Sequence, residues 1–112
     1  MSTIKQVLEE KVSEFNTRIK DEPKFSSVIE GKERSICICV SDGDNYTTNL
    51  KDMYLETFIE SEETNKDLIV TASSEVLLAL INKEMSPIKA YMTGDLKVKA
   101  SLTDMLLLKK LF

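Results

Sequence analysis

Two spacings in the chain bring together side chains capable of chemistry, Cys37-Ile38-Cys39 and Asp42-Gly43-Asp44. Thiols two residues apart on a strand point the same way, in parallel and poorly angled for a disulfide. They lack the Cys-x-x-Cys spacing of redox and zinc sites, and the chain has no His to complete a metal set. They read as two small apolar residues on a strand face. Asp42-x-Asp44 matches the opening of a calcium loop. Tyr46, however, stands at the third ligand position, Thr47 where the sharp-turn Gly belongs, and Met53 where the closing Glu belongs. It reads as a hairpin turn. Without His the usual general base near neutral pH is missing, and no nucleophile elbow or phosphate-cradling Gly-rich loop is present. The expectation is a protein that is not an enzyme and needs no cofactor or metal.

Bulk properties narrow the classes further. A chain of 112 residues that is 42% hydrophobic fits one domain, residues 1–112, with one core. Its 15 basic and 19 acidic residues give a net charge of −4, and no separate basic block offers a face to a phosphate backbone. A nucleic-acid partner is excluded on that ground. Apolar runs such as Val76 to Ile81 fall far short of the roughly 20 residues a membrane span needs. MSTIKQVLEEK lacks the apolar centre of a signal peptide. The chain reads as soluble and cytoplasmic.

The elements follow from periodicity and punctuation. Met1 to Lys20 reads as an amphipathic helix with Ile4, Val7, Leu8, Val12, Phe15 and Ile19 on one side, stopped by Pro23. KFSSVIEG is a short irregular or helical turn. RSICICV, YTTNL and MYLETFI form three consecutive strands of an antiparallel meander, with Asp42 to Asn45 as the first turn. DLIVTA is a fourth strand. A helix through Val76 to Ile81 starts at Ser73 or Ser74 and ends at Asn82, which tolerates a left-handed cap. Ser86-Pro87 opens another helix, closed by Gly94. DLKVKA is a fifth strand with Leu96, Val98 and Ala100 inward and Lys97 and Lys99 in water. Ser101-x-x-Asp104 looks like a capping box before a last helix. Met105, Leu106, Leu107, Leu108, Leu111 and Phe112 make that helix apolar nearly all round, so it needs a second surface to cover.

The ordered set from Asp67 to Leu111 resembles the sterol carrier protein family, the non-specific lipid-transfer, sterol-binding domain. The residues that carry the likeness are strand DLIVTAS, helix SEVLLALINKEM, helix SPIKAYMTG, strand DLKVKA and helix TDMLLLKKL. The resemblance implies an α/β (α+β) fold, a five-stranded, mainly antiparallel sheet with helices over one face enclosing an apolar tunnel. It implies non-covalent binding and transfer of fatty acyl, acyl-CoA, isoprenoid or sterol-like lipids. Ile36, Ile38, Leu96 and Val98 would then floor the tunnel. Val76, Leu77, Leu80, Ile81, Met85, Tyr91, Met92, Met105, Leu108 and Phe112 would form its wall and lid. Asn82-Lys83-Glu84 replaces the family's usual Gly-Lys exit from the first of these helices, and Ala100 replaces a Gly. The chain ends at Phe112 without the peroxisomal tripeptide of eukaryotic members, so the likeness is to a free-standing microbial member with acyl or isoprenoid ligands. Partners implied are an apolar lipid, transient membrane contact and a second copy in a homodimer. The alternative is a non-catalytic interaction or dimerisation domain that uses the same fold through its apolar C-terminal helix.

Overall fold

The computed structural model describes residues 4–63, 65–101 and 104–105. Helix α1 (Ile4–Asp21) buries Val7, Leu8, Val12 and Phe15, the stripe that three- and four-residue spacing lays on one side. It ends before Glu22, which Pro23 holds in an extended conformation at φ −120°. Proline then opens α2 (Pro23–Ile29), where its missing N–H would have no helical partner anyway. The two helices meet edge to face through Phe15 and Phe25, ring centroids 4.9 Å apart, and the Arg18 guanidinium stands 4.2 Å above the Phe25 ring.

Strands β1 (Arg34–Val40) and β2 (Asn45–Lys51) form the expected hairpin, closed by the Gly43 N–H donating to the Val40 carbonyl at 3.0 Å. MYLETFI does not continue as one strand. It splits into β3 (Tyr54–Leu55) and β4 (Ile59–Glu60), both paired with β2, so the sheet has six strands rather than the expected five. Local hydrogen bonds explain the break. The buried Thr48 hydroxyl donates to the Glu56 carbonyl, and the Glu56 N–H donates to Asn49. This shifts the alternation, so that Leu55 and Phe58, three apart, both enter the core while Ile59 is 62% exposed.

Strand β5 (Leu68–Ala72) pairs with β1 in parallel. Helices α3 (Ser74–Ile81) and α4 (Pro87–Thr93) follow, and β6 (Lys97–Lys99) returns antiparallel to β5. The order is β3-β2-β1-β5-β6, with β4 also on β2. The inner face carries Ile36, Ile38, Val40, Leu68, Val70 and Ala72, all buried in one cluster with α1, α2 and α3. Lys97 and Lys99 point to water, and Val98 between them is half-buried, as the alternation requires.

The register of the parallel pair is held at both ends. Ile36 faces Leu68 and Val40 faces Ala72, an offset of 32 residues. At one end the Asp67 carboxylate accepts the Ser35 N–H (2.9 Å) and hydroxyl (3.1 Å). At the other, Asp42 accepts the Ser74 N–H and hydroxyl, both at 2.7 Å. Each clamp joins residues 32 apart, the same offset as the strands. The Ser74 hydroxyl and N–H, chiefly, hold Asp42 below the ordinary carboxylate range, and the Ser35 N–H does the same for Asp67. A folded-state pKa below the unfolded one means that the unfolded chain binds more protons on acidification. The clamps' contribution is therefore fully present above the unfolded carboxylate pKa and is lost as pH falls through the folded one. Urea midpoints of the wild type should drop across that range, and those of Asp42→Asn/Asp67→Asn should drop less steeply.

Ser73 caps α3 through Val76 N–H, and Ser86 caps α4 through Lys89 N–H. At the other end of α3 the left-handed residue is Lys83 (φ 61°), whereas Asn82, expected in that role, stays at φ −81°. Glu84 N–H reaches Ala79 and Lys83 N–H reaches Leu80, a Schellman motif whose special position is one residue later than expected. A side chain there is strained. Lys83→Gly should raise stability by up to about 1 kcal/mol in chemical denaturation, less the extra flexibility of glycine in the unfolded chain.

Candidate functional site

Among the described residues, the apolar interior between helices and sheet gathers most of those singled out from sequence. Ile36, Ile38, Leu77, Leu80, Ile81 and Leu96 are buried in one cluster, with Val76, Met85 and Val98 half-buried against it. Met105 is half-buried, and Leu108 and Phe112 lie outside the described residues. Tyr91 and Met92 do not join the interior. Helix α4 turns inward at Ala90 alone, which leaves them at the surface, 51% and 79% exposed. The family resemblance implies them in the tunnel's wall and lid, whereas here they face outward.

The cluster also holds residues that were read only as helix or strand. Val7, Leu8, Val12 and Phe15 of α1 roof it, with Phe25, Ile29 and Phe58 beside them. Among the described residues its centre is closely packed. Ile36, Ile38 and Leu77 have between 0% and 2% of their surface accessible, so no water-sized space runs along them. Among the described residues, the buried side chains outside the apolar set are Thr47, Thr48 and Asp104. The Asp104 carboxylate accepts the Arg34 Nε–H at 2.9 Å, tying the start of β1 to Asp104, whose own N–H donates to the Ser101 hydroxyl.

One polar residue sets the position of α1. The Asn16 amide donates to the Leu55 carbonyl and its oxygen accepts the Leu55 N–H, both at 2.8 Å. A side chain thus takes the place of a neighbouring strand along the β3 edge. Periodicity could not reveal this, because Asn16 falls next to the apolar stripe as an ordinary flank residue. Asn16→Ala should cost about 2–3 kcal/mol by urea titration, since it leaves both groups of a half-buried peptide unpaired.

Other candidate chemistry is accounted for structurally. Cys37 is fully buried and its sulfur lies 3.3 Å from that of Cys39. Burial first, then the Cys39 thiol, pushes Cys37 up to about 12, far from a reactive thiolate. Ser86 and Lys89 stand at Ser-x-x-Lys spacing, which the sequence reading passed over, but the Ser86 oxygen is engaged as the α4 cap. A cleft of about 460 Å³ opens at the ends of β1 and β2, lined by Glu33, Arg34, Ser35, Asn49, Leu50, Lys51, Glu56 and Asp67. Of these only Leu50 belongs to the core, so the cleft suits no apolar chain. No group of three or more metal-capable side chains occurs among the described residues. No helix there is long and apolar enough to cross a membrane.

Fold and site together define an α+β protein built around an apolar interior. The family model of the SCP-2 sterol transfer family matches residues 10–112, and the chain belongs to that family. Comparison with curated proteins gives no match. Among solved structures, sterol carrier protein 2 from Aedes aegypti, in complex with the C16 fatty acid palmitate, is similar at a TM-score of 0.69 and 17% identity, over 96% of this chain and 93% of that one. A possible sterol carrier protein from Thermus thermophilus gives 0.66 and 14%, over 99% and 87%. The fold also occurs inside a larger protein. The sec-alkylsulfatase Pisa1 from Pseudomonas sp. matches 77% of this chain with 13% of its own length, at a TM-score of 0.61 and 12% identity.

Proposed function

We propose that the protein binds single apolar lipid chains without covalent chemistry, in the interior between sheet and helices, and carries them in a single domain, residues 1–112. The observation that carries this reading is the apolar cluster shared by α1, α2, α3 and the inner sheet face, in a chain of the SCP-2 family. That the Aedes aegypti protein was solved with palmitate supports it. The residues proposed to meet the lipid are Ile36, Ile38, Val76, Leu77, Leu80, Ile81, Met85, Leu96, Val98 and Met105, with Leu108 and Phe112 following in sequence. Tyr91 and Met92 would act at the mouth rather than the wall.

Burial of an acyl chain is worth about 0.8 kcal/mol per CH₂, so no catalytic group is needed for useful affinity. Part of that energy is spent in parting a closed interior, because Ile38 and Leu77 already touch their neighbours on all sides. Apolar contacts discriminate weakly between chain lengths, so specificity is loose. A fluorescent fatty acid titrated into the protein should bind saturably at micromolar Kd or tighter, about −8 kcal/mol or more favourable. Absence of saturation with fatty acids, acyl-CoA and isoprenoids alike would overturn the reading. A ligand-free dimer in native mass spectrometry of protein from its own source would favour the interaction-domain alternative instead.

A further inference from the structure

We propose that the outer face of α4 docks on the surface of an anionic lipid bilayer, with Ile88, Tyr91 and Met92 entering the headgroup boundary. These three are 67%, 51% and 79% exposed and make up most of the large apolar residues that stand in water among the described residues. They sit at positions i, i+3 and i+4, which a helix places on one side. Ala90 is the single buried residue of α4, so the helix gives the fold little packing and shows the solvent most of its apolar surface. A surface helix held for packing alone would carry polar residues at those positions.

The helix is firmly terminated at both ends. Ser86 caps its start with Pro87 in the first turn, and Gly94 at φ 87° ends it. The Leu96 N–H donates to the Ala90 carbonyl at 3.0 Å, joining α4 to the approach of β6. Tyrosine suits such a boundary, with an apolar ring and a polar tip, and methionine adapts to irregular acyl surroundings.

Charge selects the kind of surface. Between residues 83 and 99 the exposed charges are Lys83, Lys89, Lys97 and Lys99 against Glu84 and Asp95, a local excess of two positive charges. The whole chain has a net charge of −4, so an anionic surface repels the molecule overall and favours approach through this segment. Three apolar side chains with a few lysines give weak, reversible attachment, the kind a carrier needs. The proposal takes its purpose from the lipid-carrier reading, since Ala90 and Leu96 belong to the interior cluster that a lipid would enter. Its geometry is independent of that reading.

The chain has no Trp, so Met92→Trp places one reporter on the stripe of the full-length protein. With vesicles of phosphatidylglycerol in phosphatidylcholine, its emission should shift to the blue and be quenched by brominated acyl chains. The shift should weaken with salt and with pure phosphatidylcholine vesicles. Tyr54→Trp, on β3 at the other edge of the sheet, should show neither effect. Ile88→Glu in the Met92→Trp background should lower vesicle partition at least tenfold with an unchanged far-ultraviolet spectrum. Emission unmoved by anionic vesicles, or partition indifferent to Ile88→Glu, would overturn the docking surface. So would a blue shift that grows with protein concentration in the absence of vesicles, which would assign the stripe to a second copy. Fatty-acid titration of the wild type separates the two ideas. Vesicle insertion without fatty-acid saturation upholds the docking surface and removes the carrier reading, whereas saturation without insertion removes only the docking surface.

Discussion

A parallel strand pair has no hairpin to fix its register, and a slip of one residue would turn every inward side chain of β5 to the solvent. The chain answers this with two carboxylates. Asp67 holds Ser35 where β1 and β5 begin, and Asp42 holds Ser74 where they end. The donor and acceptor strands exchange roles between the two clamps, so a slide in either direction breaks both. With that offset fixed, Leu68 and Val70 come level with Ile36 and Ile38, and the inner face is continuous. Everything laid over that face depends on it.

The helices sit on this face by different means. α1 packs by its apolar stripe and is then pinned to the β3 edge by the Asn16 amide. α3 is anchored at its start by the Asp42 clamp and the Ser73 cap, and at its end by the Schellman turn at Lys83. α4 is held by its caps and one alanine. The grip on the interior therefore weakens from α1 to α4, so a closed apolar core would be expected to part first at α4.

Much of this was legible from residue spacing. The α1 stripe, the serine and proline starts of α3 and α4, the Gly94 stop and the outward Lys97 and Lys99 all follow from local chemistry, which one chain segment decides alone. The misses share a different cause. The break in MYLETFI depends on the Thr48 hydroxyl of another strand, and the docking of α1 depends on the backbone of Leu55. Parallel pairing of β5 with β1 leaves no mark on the alternation of either strand. The position of Asn82 and Lys83 failed by one residue, because the motif needs the six-residue bond from Glu84 to Ala79 and not merely a tolerant side chain. Tyr91 and Met92, placed in the wall by family resemblance, stand outward because a short helix that buries only Ala90 leaves its other side in water.

The outer face of β1 has a consequence of its own for how this protein ages and how its motions can be timed. Cys37 lies at the middle of the central strand, with no accessible surface and a thiol held up to about 12. At neutral pH its thiolate is scarce, so oxidants and alkylating agents find almost nothing to attack while the side chain stays buried. Reaction must wait for that face of β1 to be uncovered. The rate at which Cys37 is alkylated is therefore a clock for the uncovering of the central strand, timed by a residue the chain already carries.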